Sequence, residues 1–260
     1  MPFDLQLATN VMYLAANSAY QIMNIPQPVL PAGFALVGPI EADPQAALPA
    51  MLASDPLQHR IVTHMLLESN IFGLVAWNQA TSTALIAFRG TQTIMDWIDD
   101  VDAVAVPYLA VAGAGLVHMG FQLVYEHIRR NVAQIVASGC KGAKRVLVTG
   151  HSLGGAVAVL GGFDIAKNVT PGVVPELYTL AGPRTGAPDF AANFNKLIPV
   201  CYRIVNFMDV VPQVPLPPLY QHVGQEVLVH GGFRPLDVIY AHLLTTYLAG
   251  LQKLNPAPGP

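Results

Sequence analysis

Arg145-Val-Leu-Val-Thr-Gly-His-Ser-Leu-Gly-Gly155 is an apolar run rich in β-branched residues that stops at a Gly-x-Ser-x-Gly. Val146 to Thr149 reads as a buried strand. Gly155-Ala-Val-Ala-Val-Leu-Gly-Gly reads as a helix whose small residues let it lie close against that strand. Gly150 and Gly154 leave room for a turn so tight that the residue between them takes a strained backbone conformation, which lifts the Ser152 hydroxyl clear of the sheet. The pattern alone is common. Strand, turn and helix in this order make it specific for a nucleophilic serine rather than for an ordinary Gly-rich βα turn.

The rest of the chain is in keeping with one enzyme domain spanning residues 1–260, since α/β folds commonly run to about 200–250 residues as a single unit. There is no internal repeat or low-complexity block. Charged residues are 11% of the chain, against about 25% in an average soluble protein, so an unusually apolar surface is expected. A formal charge of -3 with scattered Lys and Arg gives no basic footprint for nucleic acid. A membrane-spanning helix needs about 20 uninterrupted apolar residues. The uncharged stretch from Val146 to Phe163 is cut by glycines, and Ala103 to Val117 carries Pro107, Gly113 and Gly115, so no transmembrane segment is expected. Met-Pro-Phe-Asp-Leu-Gln-Leu at the start lacks the basic region and apolar core of a signal peptide, which points to a cytoplasmic protein or to a chain already trimmed. Cys140 and Cys201 make no disulfide framework and read as buried thiols, each just before a strand.

Periodicity gives an ordered series of elements. Leu5 to Met23 reads as a helix, followed by a Pro-rich loop from Pro26 to Pro56. Ile71 to Trp77 and Thr83 to Phe88 read as a β-hairpin. Helices are expected at 94–104, 119–138, 153–167 and 239–251, and strands at 145–149, 176–181, 202–208 and 226–230. Strands alternating with helices imply a mainly parallel sheet covered on both faces, with the chemistry beyond the carboxyl ends of the strands.

A serine hydroxyl is a poor nucleophile until a base takes its proton, so a histidine held by a carboxylate should follow, acid first. Of Asp164, Glu176, Asp189, Asp209, Glu226 and Asp237, only Asp209 closes an apolar strand, Cys-Tyr-Arg-Ile-Val-Asn-Phe-Met-Asp. Three histidines come later. His222 precedes the strand at 226–230 and is at the wrong end of a parallel strand; His230 ends that strand and is placed to point into the core. His242 follows it, where a loop gives way to the last helix, and is the best placed of the three. The oxyanion of a tetrahedral intermediate needs preorganised donors. The Leu153 N–H, next after the serine, is one. Thr91, at the strand exit Arg89-Gly90-Thr91, is a second candidate, although a plain strand exit with a helix cap accounts for those residues equally well.

Taken together, Ala-Phe-Arg-Gly-Thr at 87–91, Asp-Trp-Ile-Asp-Asp at 96–100, Val-His-Met-Gly-Phe at 117–121, Val-Thr-Gly-His-Ser-Leu-Gly-Gly at 148–155, Tyr-Thr-Leu-Ala-Gly-Pro-Arg at 178–184 and Val-Asn-Phe-Met-Asp-Val-Val-Pro at 205–212 resemble the class 3, fungal-type triacylglycerol lipase family of the α/β-hydrolases, in family order. The resemblance implies an α/β-hydrolase fold with a mainly parallel central sheet flanked by helices, a triad of Ser152, Asp209 and His242, and an oxyanion hole at Thr91 and Leu153. His222 matches a structural histidine in the family's Tyr-x-His-Val-Gly-x-Glu-Val segment. No cofactor and no metal are expected.

Ile94, Trp97, Ile98 and Val101 recur at i, i+3, i+4 and i+7, with Asp96, Asp99 and Asp100 largely on the other side. This amphipathic stretch reads either as a surface helix packed on the core or, as the resemblance implies, as a short helical lid over the serine that opens at a lipid surface. The apolar run Ala103 to Val117 is a candidate lining for an acyl pocket or part of the interface-facing patch. The expected activity is ester hydrolysis of acylglycerols through an acyl-enzyme, with a lipid or ester partner at a lipid–water interface. The alternatives are an esterase or feruloyl-type hydrolase of soluble esters on the same triad, and a non-enzymatic lipase-like binding protein, which would need a broken triad.

Overall fold

The structure, a computed structural model, describes residues 2–43, 46, 63, 66–91, 104–232, 234 and 237–254. Its frame is a seven-stranded sheet. β1 (Ala35–Glu41), β2 (Ile71–Asn78) and β3 (Thr83–Phe88) form an antiparallel meander at one end. β4 (Ala105–Pro107) and β5 (Leu116–His118) form a separate two-stranded antiparallel sheet, and Val117 of β5 also bridges to Gly186. Beyond β3 the sheet is parallel, through β6 (Arg145–His151), β7 (Glu176–Leu180), β8 (Cys201–Asn206) and β9 (Gln225–Val229), in the spatial order β1-β2-β3-β6-β7-β8-β9.

Both faces of the parallel part are covered, which is why β3 and β8 are buried at every residue and why these strands read as continuous apolar runs rather than as alternating ones. On one face lie α2 (Met119–Gly139), α3 (Leu153–Asp164) and α4 (Pro188–Leu197), closing a core that includes Phe88, Phe121, Val148, Leu160 and Phe190. On the other face lies α1, which runs from Leu5–Leu7 through a π-helical stretch, Ala8–Tyr13, into Leu14–Gln21. It is joined there by the last helix, α6 (Leu244–Leu254), around Met12, Leu85, Leu147 and Tyr247. The short helix α5 (Val238–His242) precedes α6.

Four expectations need correction. The Pro-rich loop from 26 to 56 contains β1, hidden from a periodicity reading by Gly38 and Pro39 and tolerated because this strand lies at the sheet edge. The run from 103 to 117 is not chiefly a pocket lining. Val106, Tyr108, Ala110, Ala114 and Val117 are buried in the core beneath the β4–β5 pair, and the Tyr108 hydroxyl donates to the Leu160 carbonyl at 2.7 Å. The final helix is interrupted, because Leu243 takes an extended conformation (φ -63°, ψ 140°) between α5 and α6. His230 is exposed, not directed into the core, with its ring 5.4 Å from that of Phe207. The stretch from 94 to 101, with Ile94, Trp97, Ile98 and Val101, lies outside the described residues. Cys140 and Cys201 are both free and buried.

Candidate active site

The serine stands where a strand must become a helix without a loop. β6 ends at His151 and α3 begins at Leu153, so Ser152 alone makes the reversal and is driven to φ 61°, ψ -133°. Such a backbone is costly for a residue with a Cβ and persists only where the surroundings over-determine it. Here they do. A Cβ at Gly150 would lie 2.1 Å from the Gly154 carbonyl oxygen, and one at Gly154 would lie 2.4 Å from the Phe88 carbonyl oxygen. The two glycines allow β6, α3 and the end of β3 to close on one another, and the Ser152 N–H is tied to the Leu180 carbonyl at 2.9 Å. Leu153 is the first residue of α3, so its N–H belongs to the helix N-terminal group that has no partner within the helix and favours negative charge.

Asp209 follows the end of β8, past the exposed Phe207 and Met208, and its side chain is buried. Its Oδ1 accepts the Val211 N–H at 3.0 Å, while Oδ2 accepts from the Tyr247 hydroxyl at 2.6 Å and from Nδ1 of His242 at 2.8 Å. Because the carboxylate only accepts, the Nδ1 of His242 carries the proton and its Nε2 presents a lone pair. That Nε2 and the Ser152 hydroxyl are both buried, and neither has a hydrogen-bond partner among the described residues. The structure thus joins Asp209 to His242, while no hydrogen bond joins His242 to Ser152. An unsatisfied buried donor and acceptor are costly in a static protein, and such a link is often long before substrate arrives.

The candidates sort cleanly. Asp209 and His242 are brought together across 33 positions of sequence. His222 is held elsewhere: its Nε2–H donates to the Pro212 carbonyl at 2.8 Å. Asp237 caps α5 by accepting the Tyr240 N–H at 3.0 Å. Thr91 is buried, but its hydroxyl lies 3.3 Å from Oε1 of Glu68, and Glu68 in turn accepts from Arg89 at 3.3 Å. In this arrangement the Thr91 hydroxyl is engaged with Glu68. A cavity of about 420 Å³ opens beside these groups, lined by Tyr20, Thr91, His151, Ile239, His242 and Leu244. Among the described residues no cluster of His, Cys, Asp and Glu is arranged to hold a metal.

Three residues that touch this site escaped the sequence reading. Tyr247 sits five residues beyond His242 and is recognisable only once α6 packs its hydroxyl onto Asp209; burial, and then the carboxylate, push that hydroxyl's pKa well above its usual value. His151 was visible only as the variable residue of Gly-x-Ser-x-Gly. Tyr20 lies 131 positions away from His151 and gave no local signal.

Buried neutral histidines carry a consequence for acid stability. Burial pushes His118 down to about 4, and burial with the nearby Arg203 guanidinium pushes His222 down to about 3. The unfolded chain takes up these protons near pH 6.5, well before the folded one does. Stability is therefore full above that pH and falls as pH drops from about 6.5 toward 4, by up to about 1.4 kcal/mol per pH unit for each histidine. Urea unfolding midpoints at pH 7, 6 and 5 should decrease in that order. A flat profile would mean that both rings remain solvated in the native protein.

Residues 85–218 match the family described as lipase (class 3). The chain belongs to the class 3 lipase family. The family's match starts in β3 and runs through the serine turn and Asp209. A secreted mono- and diacylglycerol lipase of Fusarium solani is 35% identical over 180 residues, covering 66% of this chain and 51% of that protein. A phospholipase A1-II of rice is 29% identical over 228 residues, covering 71% of this chain and 56% of the relative. The chain thus spans about half the length of the curated relatives it matches. Among solved structures, a triacylglycerol lipase whose catalytic centre is a serine protease triad superposes with a TM-score of 0.66 at 25% identity, covering 86% of this chain and 79% of that one. The fold is accordingly that of the α/β-hydrolases, and no helix among the described residues is long and apolar enough to cross a membrane.

Proposed function

We propose that this family member is a serine hydrolase that cleaves the ester bonds of acylglycerols through an acyl-enzyme, with Ser152 as nucleophile, His242 as base, Asp209 as the acid that orients it, and Thr91 and the Leu153 N–H receiving the oxyanion. The observation that carries the reading is the Asp209–His242 hydrogen bond of 2.8 Å, beside which the other ring nitrogen, Nε2, and the Ser152 hydroxyl on its strained turn are both buried with no hydrogen-bond partner among the described residues. In the proposed sequence Nε2 takes the proton of Ser152 as its Oγ attacks the ester carbon. The imidazolium, held by Asp209, then protonates the departing alkoxide, and water repeats the cycle to release the acid. All of these residues are carried by a single sheet and its connections, and we take residues 1–260 as one functional domain.

An apolar substrate fits the surroundings. Ile239 is 50% exposed and Leu243 43% exposed on either side of His242, and Phe207 next to the Asp209 loop is 61% exposed. The names of the relatives supply both acylglycerol and phospholipid esters as candidates. Hydrolysis of p-nitrophenyl esters of graded chain length, of emulsified triacylglycerol and of phosphatidylcholine vesicles tests the reading. Greater turnover on emulsified long-chain acylglycerol than on dissolved short-chain ester supports it, whereas confinement to dissolved esters favours a soluble-ester hydrolase.

The apolar positions Ile94, Trp97, Ile98 and Val101 are proposed as the closing face of a lid. Moving one Trp and a few aliphatic side chains into a lipid surface, at roughly 25 cal/mol per Å² of apolar area, is worth several kcal/mol, enough to reverse a modest preference for closure. Trp97→Asp and Ile98→Asp should then depress hydrolysis of emulsified long-chain triacylglycerol while leaving dissolved short-chain esters within a few-fold of the parent. Equal losses on both substrates would make the segment a fixed structural helix.

A further inference from the structure

Tyr20, in the last turn of α1, joins three separate parts of the site. The Gly90 N–H donates to its hydroxyl oxygen at 3.0 Å, and the same oxygen lies 2.9 Å from Nδ1 of His151. On the far side of that ring, Nε2 of His151 lies 2.8 Å from the carbonyl oxygen of His242. A carbonyl only accepts, so the proton of His151 sits on Nε2, its Nδ1 is an acceptor, and the hydroxyl of Tyr20 donates to it. The direction of every bond is therefore fixed: Gly90 N–H to Tyr20, Tyr20 O–H to His151, His151 N–H to His242.

The contact is also steric. The His151 and His242 rings lie with centroids 4.7 Å apart at 40°. A Cβ at Gly90 would stand 2.6 Å from the Tyr20 hydroxyl and 3.0 Å from Cβ of Ser152, so the loop that leads into Thr91 is pressed directly against the tyrosine and the serine turn. Burial, and then the neighbouring His242, hold the basicity of His151 well below that of an ordinary histidine. A neutral ring is what the bonding order requires. It also spares His242 a second positive charge at the moment the base is protonated.

We propose that Tyr20 and His151 are positioning residues, a two-residue relay that sets the Gly90-Thr91 loop and the backbone of His242 in register with Ser152. This rests on the triad proposed above. In this proposal the relay acts through the Gly90-Thr91 loop and the backbone of His242. A misplacement of about 1 Å in such groups costs on the order of a hundredfold in rate, so removing the relay should depress kcat and spare KM.

The test compares Tyr20→Phe, His151→Phe and His151→Gln with the parent on a dissolved short-chain p-nitrophenyl ester, with kcat expressed per site titrated by a serine-reactive phosphonate, so that any unfolded fraction is removed from the comparison. Tyr20→Phe, which deletes one oxygen, should lose about ten- to a hundredfold in kcat with KM within about threefold. His151→Gln, which still offers an N–H to the His242 carbonyl, should retain more of kcat than His151→Phe. Parent-like kcat per titrated site in Tyr20→Phe, or equal kcat for the two His151 variants, would overturn the relay while leaving the triad intact. A parent that hydrolyses the ester but is labelled elsewhere than at Ser152 would overturn the triad and the relay with it.

Discussion

Ser152→Ala is expected to fold as the parent does and to lose ester hydrolysis by about 10⁴-fold or more, equivalent to about 5 kcal/mol of transition-state stabilisation. The hydroxyl removed has no hydrogen-bond partner among the described residues, so its loss leaves no buried group newly unsatisfied, and alanine carries the same Cβ through the turn at φ 61°. Fold and activity should therefore separate in this variant. A serine-reactive phosphonate should add one adduct to the parent, found by peptide mapping on Ser152, and none to Ser152→Ala. An adduct on another serine, or a variant that keeps its turnover, would remove the nucleophile assignment. Some residual rate over the uncatalysed reaction is expected, because the proposed oxyanion donors at Leu153 and Thr91 would remain.

The second large effect separates two histidines and two carboxylates. His242→Ala takes away the imidazole bonded to Asp209, and should abolish acylation; Asp209→Asn should cost a comparable amount, because an amide can present an N–H to Nδ1 and favour the wrong tautomer. His222→Ala and Asp237→Asn are the controls. His222 donates to the Pro212 carbonyl, so its removal should lower thermal stability and leave kcat/KM per folded molecule within a few-fold. Asp237 caps a one-turn helix, a role that asparagine fills nearly as well. Loss of activity in well-folded His222→Ala, with His242→Ala still active, would exchange the two roles.

Much of this was legible because it is local. Val146 to Thr149 and the glycines at 150 and 154 dictate a strand, a reversal and a helix within a dozen positions, and the observed β6 and α3 meet at Ser152 as that reading expects. The pairing of Asp209 with His242 was legible because Asp209 closes an apolar strand and few histidines follow it. β1 was not, since an edge strand tolerates the glycine and proline that erase its pattern. Nor was the fate of the run from 103 to 117. An apolar segment looks the same whether it lines a pocket or fills a core, and only the packing of α2 and α3 decides which.

The sequence by itself determined the parallel α/β order, the strained serine and the short set of partners it could have, because each of these follows from the conformational limits of a few adjacent residues. Tertiary structure alone decided the rest. It chose the tautomer of His242, laid the Tyr247 hydroxyl on Asp209, engaged the Thr91 side chain with Glu68, and stretched a hydrogen-bonded line from Gly90 through Tyr20 and His151 to the carbonyl of His242. These are contacts between elements far apart in the chain. A hydrogen bond depends on distances of a few tenths of an ångström, and those are fixed only when the helices on both faces have packed against the sheet.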